Sequence, residues 1–143
     1  MIADSAFALD PRLVADTHRI GDLTFSRALL MNDSRFPWII LVPRLPNLRE
    51  LTDLSIDDQR RLLDDINRVA HVLHALEKPD KLNIAALGNV VVQLHVHVIA
   101  RSTNDAAWPK PVWGVGASAA YSEPALQQKM SALRIALHID TDQ

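Results

Sequence analysis

Cysteine is absent from this chain of 143 residues. Disulfides, Cys-ligated zinc and a thiol nucleophile are therefore excluded, and the composition fits a reducing compartment. Glycine is scarce, at 4 residues, and neither G-x-G-x-x-G nor a P-loop pattern occurs. An excess of positive charge is missing too. There are 15 basic and 17 acidic residues, for a net charge of −2, so no basic field exists to follow a nucleic-acid backbone. Long apolar runs are lacking. Stretches such as Trp38 to Val42 fall far short of the ~20 residues that a membrane span needs. The opening MIADSAFALD carries Asp4 and no basic stretch ahead of a long apolar one, so no signal peptide is expected. The expectation is a cytoplasmic protein with no membrane and no nucleic-acid partner.

What is present describes an ordinary globular domain. Hydrophobic residues make up 48% of the chain and charged residues 22%, which suffices for a folded core. A domain of this length can bury roughly 68% of the surface its unfolded chain exposes. No repeat or low-complexity tract interrupts it, and residues 1–143 read as a single domain. Asp10 and Pro11 predict a short helix from Leu9 to His18, ended by Gly21. Leu23 to Met31 reads as a strand, Asn32 to Arg35 as a turn, and Trp38 to Val42 as a strand closed by Pro43 and Pro46. These two strands are expected to pair as a hairpin. Ser55 ahead of Asp57 and Asp58 marks a helix start. Leu62, Ile66, Val69, Ala70 and Leu73 then form one apolar stripe, and Lys78-Pro79-Asp80 ends the helix near Glu77. Asp57, Asp58, Asp64 and Asp65 are expected on its solvated face, and His71 and His74 at the surface. Lys81 to Ala86 and Val90 to Ala100 read as strands, broken at Gly88-Asn89. A loop with Pro109 and Pro111 leads to a last helix, opened by Ser122 and carrying Leu126, Met130, Leu133 and Leu137. Strands in adjacent pairs predict an α+β fold with an antiparallel sheet.

The chemistry concentrates in Gly88-Asn89-Val90-Val91-Val92-Gln93-Leu94-His95-Val96-His97-Val98-Ile99-Ala100-Arg101. Alternate side chains of a strand share a face, about 6.5–7 Å apart. Leu94, Val96 and Val98 then point into the core, and Gln93, His95 and His97 line up opposite. Three readings are open at this point. The histidines can form a solvated polar face. They can form a His-x-His metal pair, although two ligands are too few and no HExxH exists, so no metal site is assigned. Or the two imidazoles and the amide can surround a phosphate-sized group.

This segment resembles the signature of the histidine-triad (HIT) superfamily. That signature is His-φ-His-φ-His-φ-φ, with φ apolar, after a Gly-Gln-Ser/Thr run. The hairpin strand ending Ile39-Ile40-Leu41-Val42-Pro43, the long helix, the Asn83 strand and Trp108-Pro109 follow in the family's order, over about residues 20–113. The resemblance implies a HIT-like antiparallel sheet of about five strands, one long helix and a C-terminal helix. It also implies a nucleotide or dinucleotide ligand and a homodimer. Members include nucleoside phosphoramidases, dinucleoside polyphosphate hydrolases and, more distantly, galactose-1-phosphate uridylyltransferases.

Residue by residue, the resemblance makes His95 the nucleophile, attacking a phosphorus atom to form a covalent nucleotidyl-histidine. A neutral imidazole is a competent nucleophile near pH 7. The carbonyl of Gln93 is expected to hold its other ring nitrogen. His97 is expected to donate to the phosphate or leaving group. Backbone amides around Gly88, Asn89 and Val90 are expected near the phosphate. Asn83 resembles a substrate-contacting asparagine, and Asn32 and Asp33 lie near the family's ribose-binding acid. Arg101 is expected to grip phosphate or to form a salt bridge. Trp108 and Trp113 are candidates to cover a base, to meet a partner subunit or to pack in the core. No cofactor is required, and a divalent cation can accompany a polyphosphate substrate. Three positions depart from the pattern. Gln93 replaces the first triad histidine, and an amide cannot carry a proton as imidazolium. Trp38 replaces a second-strand histidine that contacts the first triad histidine in the family, so the two replacements are expected to go together. Val90 replaces the Ser/Thr. The implied activity is that of a hydrolase or nucleotidyl transferase on a phosphoanhydride or phosphoramidate. The alternative is a non-catalytic nucleotide-binding module.

Overall fold

Ser55 starts the longest element. Its hydroxyl accepts the amide of Asp58 at 3.1 Å, with Asp57 and Asp58 in the electropositive first turn. The helix ends where Lys78 turns left-handed, at φ 47°, ahead of Pro79. The computed structural model describes residues 7–140, and its elements run α1 (Pro11–Asp16), β1 (Thr17–Asp22), β2 (Ser26–Met31), β3 (Trp38–Pro43), a 3₁₀ turn (Leu51–Asp53), α2 (Ile56–Glu77), β4 (Lys81–Ala85), β5 (Val96–Arg101) and α3 (Glu123–Leu137). Asp4 and the ends of the expected 1–143 domain lie outside the described residues. The five strands form one antiparallel sheet in the order β1-β2-β3-β5-β4, so the fold is α+β as expected.

Both sheet faces are covered. On one face α2 and α3 set Val69, Leu73, Leu133 and Leu137 against Leu30, Ile39, Leu41 and Val98. On the other, α1 and the segment after β5 set Leu13, Ala107 and Val112 against Trp38, Ile40 and Ile99. This double covering removes the solvated-face reading of the histidines. His95 and His97 are 6% and 4% exposed. Among the described residues no helix is long and apolar enough to cross a membrane.

Three sequence expectations need correction. The helix expected from Leu9 to His18 stops at Asp16, and residues from Thr17 onward form β1. The β2 ladder captures them, with Thr17 paired to Met31 and His18 to Leu30, and a local helix signal cannot anticipate that partner. Gly21 lies within β1 instead of ending a helix. A Cβ there would meet Ile139 at 2.4 Å, so glycine is what lets the chain after α3 approach the sheet. The strand expected from Val90 begins only at Val96. Upstream, the Leu94 amide bonds to the Leu48 carbonyl and the Val90 carbonyl accepts from Arg12, so this backbone is satisfied outside any ladder.

Asp65 is the third. It is 2% exposed, because it falls on the apolar stripe between Leu62 and Val69. Its Oδ2 accepts the amides of Phe25 and Ser26 at 3.1 and 2.7 Å, which ties α2 to the β1–β2 turn. Burial pushes its carboxyl up, against the pull of those amides. His71 and His74 are exposed, as expected.

Candidate active site

β5 aims alternate residues at the face covered by α1 and the following segment. His97, Ile99 and Arg101 take that side, while Val98 and Ala100 join the helix-covered core. Pairing fixes the neighbours: Ile40 lies opposite His97, and Trp38 opposite Ile99. Trp38 is therefore diagonal to His97, within reach of an indole.

His95 sits one residue ahead of β5. Its Nδ1 lies 2.6 Å from the Gln93 carbonyl oxygen, a geometry in which Nδ1–H donates and Nε2 keeps its lone pair. The ring lines a cavity of about 200 Å³ with Gly88, Leu87, Arg49, Thr52 and Gln93. His97 stands beside it, ring centroids 4.9 Å apart. Trp38 Nε1 donates to His97 Nδ1 at 2.9 Å, and Trp113 meets the same ring edge-on at 5.0 Å. Burial, reinforced by the neighbouring His95, pushes the His97 imidazole down to about 3, so it is neutral at physiological pH. Neither Nε2 has a hydrogen-bond partner among the described residues. Yet the one fully buried, unpartnered side-chain polar atom there is Ser26 Oγ, so neither ring nitrogen is completely sealed. A second cavity, of about 350 Å³, is lined by Asp16, Asn32, Asp33, Trp38 and Trp113.

The structure brings together only part of the expected set. Gln93 does not line up beside the histidines. Its Oε1 accepts the Asp10 amide at 2.8 Å and its Nε2 donates to the Ala8 carbonyl at 2.9 Å, because the residue precedes the strand and faces the N-terminal segment. Its carbonyl, not its amide, touches His95. Gln93 and Trp38, which replace two histidines that contact each other in the family, do not bond to each other: Gln93 bonds the N-terminal segment and Trp38 bonds His97. Gly88 lines the His95 cavity at φ 78°, whereas Asn89 and Val90 are exposed.

Arg101 takes the salt-bridge alternative. It is 2% exposed; Nε and Nη2 hold Asp105 at 2.7 and 3.0 Å, Nη1 donates to Asn83 Oδ1 at 2.8 Å and Nη2 to the Lys110 carbonyl at 2.8 Å. Asn83 is thereby occupied as well, and Trp108 lies over that guanidinium, 5.7 Å from it, rather than beside His95. The Arg101 hydrogen bond holds the Asp105 carboxyl down at about 2. Asn32 and Asp33 do line the second cavity. The Asn32 side-chain Oδ1 accepts the Tyr121 amide at 3.1 Å, and both Asp33 oxygens are held by Arg35, at 2.9 and 2.8 Å. Burial raises the Asp33 carboxyl less than the Arg35 bond and the Ala119 amide lower it. Sequence reasoning missed Arg49, Leu87 and Asp16 as cavity residues. All three lie outside the strands, at the end of α1 or in loops, where no periodicity marks them. Among the described residues no three His, Asp or Glu side chains are grouped to hold a metal ion.

Comparison with known proteins agrees with this fold. The family model described as HIT domain matches residues 12–104. A histidine triad protein of Bradyrhizobium japonicum is 50% identical, with a TM-score of 0.90, over 92% of this chain and 98% of that one. One from Marinobacter aquaeolei is 42% identical, with a TM-score of 0.90, over 93% and 97%. A diadenosine triphosphate hydrolase of Plasmodium falciparum shares the fold at 18% identity, with a TM-score of 0.54, over 91% and 77%. No curated protein matches the chain.

Proposed function

The chain belongs to the HIT domain family, and from that premise we propose that it is a nucleotide-binding hydrolase or nucleotidyl transferase that works through a covalent nucleotidyl-His95 intermediate. One observation carries the reading: the Gln93 carbonyl occupies His95 Nδ1 and leaves Nε2 as the unpartnered nitrogen of a ring that borders a cavity. The Nε2 pair attacks phosphorus and His97 Nε2–H donates to an oxygen as negative charge grows there. Water then releases the nucleotide from His95.

The indole-lined cavity fits a nucleoside. Trp38 and Trp113 offer aromatic surface to a base, and Asp16, whose carboxylate has no partner among the described residues, offers an acceptor to ribose hydroxyls. Asp33 is less suited, because Arg35 holds both its oxygens. The similar fold of a diadenosine triphosphate hydrolase names a dinucleoside polyphosphate as the first substrate to try, with and without a divalent cation. A homodimer through the open edge of β4, where Ile84 is 50% exposed, and a cytoplasmic setting complete the proposal.

The test is a denaturing quench with labelled dinucleoside polyphosphate, followed by mass spectrometry of the protein. Label on His95 is expected, with turnover falling about a thousandfold or more in His95→Ala. Equal hydrolysis by the two proteins sinks the enzyme reading. Micromolar binding in calorimetry with no product would leave a binding module.

A further inference from the structure

We infer that Trp38 is a positioning residue: its indole N–H holds His97 as a neutral Nε2–H donor, and the site consequently favours leaving groups that depart as oxyanions over amines that must depart protonated. This rests on His95 being the nucleophile.

An indole nitrogen only donates, so the 2.9 Å contact from Trp38 Nε1 makes His97 Nδ1 an acceptor and puts the ring proton on Nε2. Trp38 cannot swing away. It is 5% exposed and held edge-on between Phe36 and Trp113, at 6.4 and 5.7 Å. Among the described residues nothing near His97 favours an imidazolium. The strands on either side present Ile40 and Ala85, the covering segment presents Trp113, and the one titratable neighbour is His95, itself a base. With its Nδ1 pair engaged, His97 stabilises charge by hydrogen bonding but has no proton to give away near pH 7.

Among the described residues no other group bonded at His95 supplies that proton. The Gln93 amide does not titrate, and both its ends are bonded. Arg49 lines the cavity but does not release its proton. Glu50 lines it too, but it is exposed and bonds neither histidine; its backbone carbonyl accepts the Asp53 amide at 3.0 Å. The chemistry then divides by leaving group. With an anhydride, the His95 Nε2 pair forms the N–P bond, the P–O bond breaks, and its electrons leave on a phosphate oxygen that needs no proton. Water adds to phosphorus, the N–P pair returns to Nε2, one water proton stays on the product phosphate and the other goes to solvent. With a phosphoramidate, the departing nitrogen must be protonated as the P–N bond breaks, and among the described residues no carboxyl group is bonded to either histidine to supply that proton. A general acid contributes about 10²–10⁴-fold where one is used.

The experiment compares kcat/KM for diadenosine triphosphate and for an adenosine 5′-phosphoramidate of a simple alkylamine, alongside ¹⁵N spectra of the histidine rings from pH 5 to 8. The expected preference for the anhydride is about a hundredfold or more. His97 Nδ1 should show the signal of an unprotonated nitrogen throughout. In Trp38→Phe that signal should move toward a tautomer mixture, kcat should fall about tenfold, and an acid limb should appear in the kcat profile because the Nδ1 pair is freed. Equal kcat/KM for the two substrates overturns the leaving-group preference. A proton on Nδ1 in the wild type overturns the role of Trp38. Both measurements stand on the unsubstituted protein, whether or not Trp38→Phe folds. Absence of turnover with either substrate sinks the nucleophile reading and the preference together, while the ring spectra still decide the Trp38 contact.

Discussion

β5 carries a buried polar cluster at each end, and the two are built on opposite plans. At the Arg101 end every donor nitrogen of the guanidinium finds an acceptor, in Asp105, Asn83 or the Lys110 carbonyl. At the other end His95 and His97 each use one ring nitrogen, on the Gln93 carbonyl and the Trp38 indole, and leave the second without a partner. A buried cation costs several kcal/mol unless it is saturated, so the first cluster is complete in itself. A neutral imidazole tolerates an open nitrogen at a cavity wall, so the second can still receive a ligand. Saturation, more than burial or residue type, separates scaffold from candidate chemistry on this strand.

Exchanging the effects of substitutions at the two ends would break this contrast. His95→Ala is expected to remove turnover while shifting the melting temperature by only a few degrees. Asp105→Ala leaves Arg101 buried without its counter-ion, at a cost of about 3–5 kcal/mol, which lowers Tm by roughly 10–20 °C. Turnover per folded molecule at 20 °C should stay within about twofold of wild type. If Asp105→Ala instead melts normally and loses turnover, the Arg101 end is part of the site.

Acid titration separates the same clusters more gently. The His97 pKa is lowered from 6.5 to about 3 in the folded state, so between those values the unfolded chain binds the extra proton. Its contribution is fully present above pH 6.5 and drains away as pH falls toward 3. Asp105 is lowered from 3.8 to about 2, so its contribution survives to pH 3.8 and is lost below that. Calorimetric melts should therefore decline in two stages, and His97→Gln should flatten the upper stage alone. A decline confined below pH 4 in the wild type would contradict a buried neutral His97. The smallest effect belongs to neither cluster. Ser55→Ala removes the cap of α2 and should cost about 1 kcal/mol, seen in urea melts, with no change in turnover.

Legibility in the sequence followed the range of the forces involved. The α2 boundaries were readable because Ser55, its first-turn acids and the Lys78-Pro79 stop all act within a few residues. The β2–β3 hairpin was readable from its apolar run and turn residues. β1 was not, because Thr17 to Asp22 become a strand only by pairing with β2. Asp65 read as surface because a charge on a helix usually is, and only the β1–β2 turn supplies the two amides that make its burial tolerable. The site divides the same way. The His-x-His spacing marked His95 and His97, and the ring contact between them follows from local geometry. Gln93, Asn83 and Arg101 were marked by position in a motif, and each spends its side chain on a partner that the motif does not name.

The sequence by itself determined that two imidazoles, separated by one residue, would enter an antiparallel α+β domain at the start of a strand, between apolar neighbours. Periodicity and capping are short-range, and they survive without knowledge of the fold. Only the tertiary structure decided which ring nitrogens are occupied. The Trp38 indole reaches His97 from a strand that is 59 residues away in sequence, and Asp10 claims the Gln93 amide from 83 residues away. A buried polar atom takes whatever partner the sheet order and the covering segments bring within about 3 Å, and neither is encoded in the spacing of the motif.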